Sequence, residues 1–161
     1  MEEVIRVGMA EVKVAKAPGE IVTLGLGSCI GICAYDPVNR IGGMVHIMLP
    51  DSTMSPDKVN PAKFADTGIP LLIVEMEKMG ASLNRIELKI VGGAQMFSTS
   101  GVQERMGIGS RNIQAVEEVC SKLVLPLVAK CVGGNTGRSV RLDLETGAVW
   151  VKTLAQGTSS L

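Results

Sequence analysis

A chain of 161 residues with 46% hydrophobic and 20% charged side chains has the composition of a folded globular protein rather than a disordered one. Sixteen basic and sixteen acidic side chains cancel, which removes the electrostatic attraction that nucleic-acid and anionic-membrane binding draw on. Aromatic residues at 2% leave the core to Val, Ile, Leu, Met and Ala and argue against base stacking.

Taken in order, Ile5 to Lys16 alternates apolar and polar residues as one strand, and Ala17-Pro18-Gly19 marks a turn. Ile21 to Leu24 reads as a second strand, running into Gly25-Leu26-Gly27-Ser28-Cys29. Cys29 to Tyr35 is a third, closed by Asp36-Pro37-Val38-Asn39, and Gly42-Gly43 open a fourth from Met44 to Leu49. The third and fourth are expected to pair as a hairpin. Counting register about the turn at 36–42 sets Cys29 opposite residue 49, three positions from His46, the one histidine of the sequence. Neighbouring strands lie about 4.8 Å apart, so a thiol–imidazole contact is feasible.

Residues 51–61 are a polar loop. A helix follows, with Pro70 in a first turn or at a kink, Leu72, Met76 and Met79 along one face, and Gly80 as its C-cap. Glu87 to Val91 is a strand that runs into Gly92-Gly93-Ala94-Gln95-Met96-Phe97, and Ser98 to Gly107 is a loop. Asn112 is placed to cap a second helix whose buried stripe is Ile113, Val116, Val119, Cys120 and Leu123. Leu125 to Val132 is a strand ended by Gly133-Gly134-Asn135-Thr136-Gly137-Arg138. Ser139 to Leu144 and Ala148 to Leu154 form a last hairpin, and a tail from about 155 to 161 is expected to fray. About eight strands, arranged in hairpins, and two helices covering one side of the sheet indicate a single α+β domain over 1–161. A second sheet on the other side would absorb the surplus of apolar strands.

The N-terminus carries no signal-peptide pattern and no run approaches the ~18 apolar residues of a membrane span, so a cytoplasmic location without membrane insertion is expected. Four cysteines then read as thiols, and without Cys-x-x-Cys spacing or a second histidine they suggest neither a metal site nor a cofactor. Cys33, Cys120 and Cys131 sit in apolar runs as core residues do. Cys29 differs, because it closes a glycine turn of the kind that exposes a nucleophile and frees backbone N–H groups to face an oxyanion. From the residues alone, a structural thiol and a core histidine remain the alternative to a catalytic pair.

Gly25-Leu26-Gly27-Ser28-Cys29 followed by His46-Ile47-Met48-Leu49-Pro50 resembles the signature of the CheD family, the chemoreceptor glutamine deamidases. Lys63-Phe64-Ala65-Asp66, Gly92 to Phe97, Ile108-Gly109-Ser110-Arg111-Asn112 and Gly133 to Arg138 match later motifs of that family in order, from about residue 5 to residue 153. Phe64 stands where a tyrosine is more usual. The resemblance implies a three-layer α/β/β fold, with mixed sheets, related to bacterial toxin deamidases. It implies a Cys-His-Thr catalytic set at Cys29, His46 and Thr23; on chemical grounds the backbone of the loop at Gly27, Ser28 and Cys29 is the candidate oxyanion donor. Cys29 would attack the amide carbon and His46 would carry the proton to the leaving ammonia, by way of a thioester. The implied task is conversion of selected glutamines of methyl-accepting chemotaxis receptors to glutamate, together with binding of the CheC phosphatase. The alternative is a regulatory module for CheC with little deamidase activity. Arg111 and Arg138 are assigned no catalytic part, and the glycine motifs at 92–93 and 133–134 are expected to form tight turns at the rim of the site.

Overall fold

Ten strands and two α-helices occur among the residues described by the computed structural model, which are 2–56, 60–96 and 107–161. The chain runs through β1 (Val4–Arg6), β2 (Val12–Lys16), β3 (Glu20–Leu26), β4 (Ile30–Asp36), β5 (Ile41–Ile47), α1 (Ala65–Met79), β6 (Glu87–Gly92), α2 (Ile108–Lys122), β7 (Leu127–Val132), β8 (Arg138–Asp143), β9 (Val149–Thr153) and β10 (Gly157–Ser160). One sheet has the order β1-β3-β8-β9-β10 and the other β2-β5-β4-β6-β7. Each is mixed, because β1 pairs parallel to β3 and β6 parallel to β7 while the other ladders are antiparallel. Phe97 and the loop expected at 98–106 lie outside the described residues.

The predicted hairpin at 29–49 forms the middle of the second sheet, and every residue of β4 and β5 is buried. The period of two explains this. Ile30, Ile32, Ala34, Val45 and Ile47 point to one face and pack with Ile69, Leu72, Met76, Val116 and Cys120 of the helices. Cys33 and Met44 point to the other and pack with Ile21, Leu26, Val140, Leu142 and Val151 of the first sheet. Helices, second sheet and first sheet therefore stack as three layers, with one apolar core on each side of the second sheet. Neither described helix is long and apolar enough to cross a membrane.

Several boundaries differ from the sequence reading. The first strand is two: β1 joins the first sheet and β2 the second, because the chain turns between them. Gly8 N–H donates to Glu11 Oε1 at 2.7 Å, and Ala10 takes a left-handed φ of 58°. Residues 157–161 are not frayed. β10 extends the first sheet beside β9, Leu161 N–H donates to Val149 at 2.8 Å, and Lys89 Nζ donates to the Leu161 oxygen at 2.9 Å. On α1 the buried stripe is Ile69, Leu72, Ile73 and Met76, whereas Met79 at the last turn is exposed. Pro70 lies in the second turn rather than the first, and Gly80 caps the helix with φ 112° as expected. On α2, Val116 and Cys120 are buried but Leu123 is exposed beyond the helix end.

Two of the chain's crossings between the sheets occur at one end of the sandwich. Residues 7–11 carry it from β1 to β2, and residues 27–29 carry it from β3 to β4. All the predicted site residues gather at that end.

Candidate active site

Register places the imidazole first. His46 pairs with Gly31 across the β4–β5 ladder, one step from the expected alignment, so Cys29 lies beyond the ladder at the level of Met48. Like Met44 two residues earlier, His46 faces the first sheet, where Thr23 of β3 meets it. Gly31 makes room for this meeting, since a Cβ there would come within 3.2 Å of Leu26 Cδ1 and 3.4 Å of Thr23 Cγ2.

Donor counting fixes the state of the ring. Thr23 Oγ1 lies 2.7 Å from the Val7 carbonyl oxygen and 2.8 Å from His46 Nδ1. A hydroxyl has one proton, and the Val7 carbonyl can only accept it, so the Thr23 oxygen must accept from Nδ1–H. The neutral ring then carries its lone pair on Nε2. Thr23 and His46 are each 1% exposed, and among the described residues nothing bonds to Nε2. Burial pushes the His46 pKa below its usual value, so the ring is a neutral base at neutral pH.

Cys29 is held differently. In β3 an extra residue opens the ladder between Thr23 and Leu26, and Gly25 takes φ 69°, which turns the strand end toward the second sheet. Three successive carbonyls of the turn are then tied down. Ala94 N–H donates to Gly27 O at 2.9 Å, Asn112 Nδ2 to Ser28 O at 2.9 Å, and Gly93 N–H to Cys29 O at 2.9 Å. With the carbonyls turned into the protein, the intervening amides are released from accepting partners. No described residue accepts from Ser28 N–H, and the Cys29 amide acts to lower the pKa of its own thiol. The Cys29 side chain is half-buried, and that burial raises its pKa although its own amide opposes the rise. Met96, itself exposed, covers Gly27.

Thr23 and His46 are thus joined directly, while no hydrogen bond links Cys29 to Nε2 in this resting arrangement. The arrangement can withdraw a proton at Nε2 and offer the Ser28 and Cys29 amides to developing negative charge. Cys33 and Cys120 are buried, with pKa values pushed up by burial to about 12 and about 11, as inert core thiols should be.

Some contributors carried no readable signal in the sequence. Val7 acts through its backbone carbonyl. Asn112 does not cap α2, whose N-cap is Gly107 without a side-chain bond; it lies one turn inside the helix, fully buried against the turn that bears Cys29. The glycine motifs serve close approach. A Cβ on Gly92, where φ is 122°, would collide with the Cys29 carbonyl, and one on Gly109 would lie 2.6 Å from the Gly93 and Ala94 carbonyls. Arg138 is a carbonyl ligand, donating to Gly133 O at 2.8 Å.

Comparison with known proteins adds four findings. The family model described as CheD chemotactic sensory transduction matches residues 48–153. A protein of Clostridium botulinum named probable chemoreceptor glutamine deamidase CheD is 50% identical over 157 residues, covering 98% of this chain and 97% of that one. A protein of the same name from Caldanaerobacter subterraneus subsp. tengcongensis is 50% identical over 155 residues, covering 96% of each. Among solved structures, that of Bacillus licheniformis hypothetical protein YfiH aligns with a TM-score of 0.44 at 13% identity over 74% of this chain and 49% of that one.

Proposed function

The chain belongs to the CheD family, and from that membership together with the site we propose that it is a cysteine amidohydrolase of chemotaxis signalling. It acts as a single deamidase domain in the cytoplasm, akin to the bacterial toxin deamidases, on glutamine side chains of methyl-accepting chemotaxis receptors. The observation that carries the reading is the free lone pair of His46 Nε2, set by the Val7–Thr23 relay, on the strand that pairs with the one following Cys29.

Cys29 and His46 begin neutral. As the sulfur approaches the glutamine Cδ, Nε2 takes the thiol proton and a C–S bond forms. Negative charge gathers on the amide oxygen, where the Ser28 and Cys29 N–H groups serve as donors; loss of one such donor typically costs ~10²–10³ in rate. Collapse breaks the C–N bond, and the proton held on Nε2 goes to the leaving nitrogen, so ammonia departs and a thioester remains. Water, deprotonated by the same nitrogen, attacks the thioester. Glutamate leaves and Cys29 recovers its proton. Nδ1–H stays bonded to Thr23 throughout, which keeps the ring oriented and stabilises the transient imidazolium.

The test is mass spectrometry of a chemoreceptor cytoplasmic fragment incubated with the protein under reducing conditions. A mass gain of about 1 Da at particular glutamines, absent when Cys29 is replaced, is expected. An unchanged fragment would sink the reading. Binding of the CheC phosphatase, which the family resemblance implies, is part of the same proposal and is checked by co-purification with CheC. If CheC binds while the receptor stays unmodified, the protein is a regulatory module instead.

A further inference from the structure

Asn112 is an unexpected group to find inside a helix–sheet interface. It is 0% exposed, one turn into α2, next to the apolar stripe of Val116 and Cys120. Its Nδ2 donates both to Ser28 O at 2.9 Å and to Met48 O at 3.1 Å, while among the described residues its Oδ1 has no partner. Two carbonyl acceptors fix the orientation of the amide, since a flipped group would set oxygen against oxygen. A buried unpaired carbonyl is costly, because it has lost its bonds to water and gained none in return. An apolar side chain would fill the space without that cost, so filling space does not account for this residue. Its two bonds do reach the two pieces of chain that matter: Ser28 immediately precedes the thiol, and Met48 lies two residues beyond the imidazole.

We propose that Asn112 is a positioning residue whose amide clamps the turn bearing Cys29 to the strand end bearing His46, and so fixes the separation of nucleophile and base. The β4–β5 ladder joins the two strands as far as the Ile30–Ile47 pair, and the clamp acts just beyond it, where Cys29 and Met48 leave the ladder. Thr23 ties His46 to the first sheet, the Gly93 and Ala94 amides tie the Cys29 turn to the end of β6, and among the described residues Asn112 is the side chain that hydrogen-bonds to both the turn and the strand end. α2 can bring it there because Gly109 lets the first turn of the helix rest directly on the Gly93 and Ala94 carbonyls. Releasing Ser28 O would let the 28–29 peptide rotate, and rotation would take the Cys29 N–H away from the sulfur and from the oxyanion position together.

The effect on turnover rests on the deamidase reading; the clamp itself does not. Asn112→Ala and the near-isosteric Asn112→Asp are compared with Val116→Ala, a core truncation on the same helix that touches neither Ser28 nor Met48. Receptor deamidation should lose roughly 10–100-fold in kcat in both Asn112 variants with KM held within about twofold, and Val116→Ala should keep its kcat. The rate of Cys29 alkylation by iodoacetamide, followed on the Cys29 peptide against pH, should show its midpoint moved upward in the Asn112 variants alone. Asn112 variants that lose thermal stability as Val116→Ala does, with unchanged kcat and an unchanged alkylation profile, would overturn the clamp. Should neither variant fold, the wild-type Asn112 side-chain amide protons decide by NMR: protected from solvent exchange if clamped, fast-exchanging if not. A shifted alkylation profile in a chain whose wild type modifies no receptor would retire the deamidase reading and leave the clamp standing.

Discussion

The β4–β5 hairpin carries a buried ionisable group at each end, and the two are treated in opposite ways. At the turn, Asp36 is fully buried and surrounded by donors: Arg85 through Nε and Nη2 at 3.0 Å each, Ser82 and Val38 N–H at 3.0 Å, and Asn39 N–H at 3.4 Å. Burial alone would raise its pKa, but these bonds outweigh it and hold the carboxyl down at about 2. At the open end His46 is equally buried, has one side-chain bond, and keeps a lone pair on Nε2 without a partner. A buried polar group is normally saturated, so saturation at Asp36 marks a structural pin and incompleteness at His46 marks a group reserved for chemistry.

The largest effect that tests this contrast is at Cys29, the thiol that His46 is proposed to serve. Cys29→Ala should abolish receptor deamidation, a loss on the order of 10⁴-fold or more, with an unchanged thermal melt. Thr23→Val keeps the shape but strips Nδ1–H and the Val7 carbonyl of their partner. At about 1–3 kcal/mol for stranding a buried polar group, kcat/KM should fall roughly 10–100-fold and recover in Thr23→Ser. Asp36→Asn should do the reverse, lowering the melting temperature by several degrees while leaving kcat/KM near wild type.

The same contrast predicts how acid acts. Because the pKa of His46 is depressed, the acid limb of kcat/KM should lie below the usual histidine value of 6.5. The folded Asp36 carboxyl titrates below its unfolded value of 3.8, so the stability it lends is complete above that value and drains away as pH falls toward 2. Acid should therefore act on kcat/KM through His46 and on the thermal melt through Asp36, two titrations that are followed separately. The smallest effect expected is that of Gly31→Ala, whose Cβ would press on Leu26 and Thr23 and so disturb the Thr23–His46 bond slightly; a loss of a few-fold in kcat, measured in the same deamidation assay, fits an overpacked but adjustable contact.

Much of this end of the molecule was legible in the residues. Two adjacent short strands joined by the turn at 36–42 gave the β4–β5 hairpin, and its register brought His46 within one step of its observed partner. The surplus of apolar strands correctly required a second sheet. Less legible were features that depend on the backbone of distant segments. The break at Gly8–Ala10 that divides β1 from β2 shows only as a one-residue slip in the alternation, from Ile5, Val7 and Met9 to Val12 and Val14, and either sheet accepts the same pattern. The tail Gly157–Ser160 has no apolar face to announce a strand and forms one by pairing with β9. Asn112 looked like a cap because caps and buried amides use the same side chain, and only the position of Ser28 and Met48 in space separates the two roles. Thr23 was distinguished by family resemblance alone; its bond to His46 required knowing that β3 lies across from β5 in the other sheet.

The proposed chemistry depends most on the resting state of one imidazole, and the sequence contains a single histidine, so its ring nitrogens can be observed without ambiguity. Selective ¹⁵N labelling of histidine and a pH titration by NMR should find Nδ1 protonated and Nε2 bare at pH 7, with the ring still neutral as pH falls through 6.5. A ring protonated on Nε2, or an imidazolium at neutral pH, would contradict the relay from Val7 through Thr23 and with it the assignment of His46 as the base.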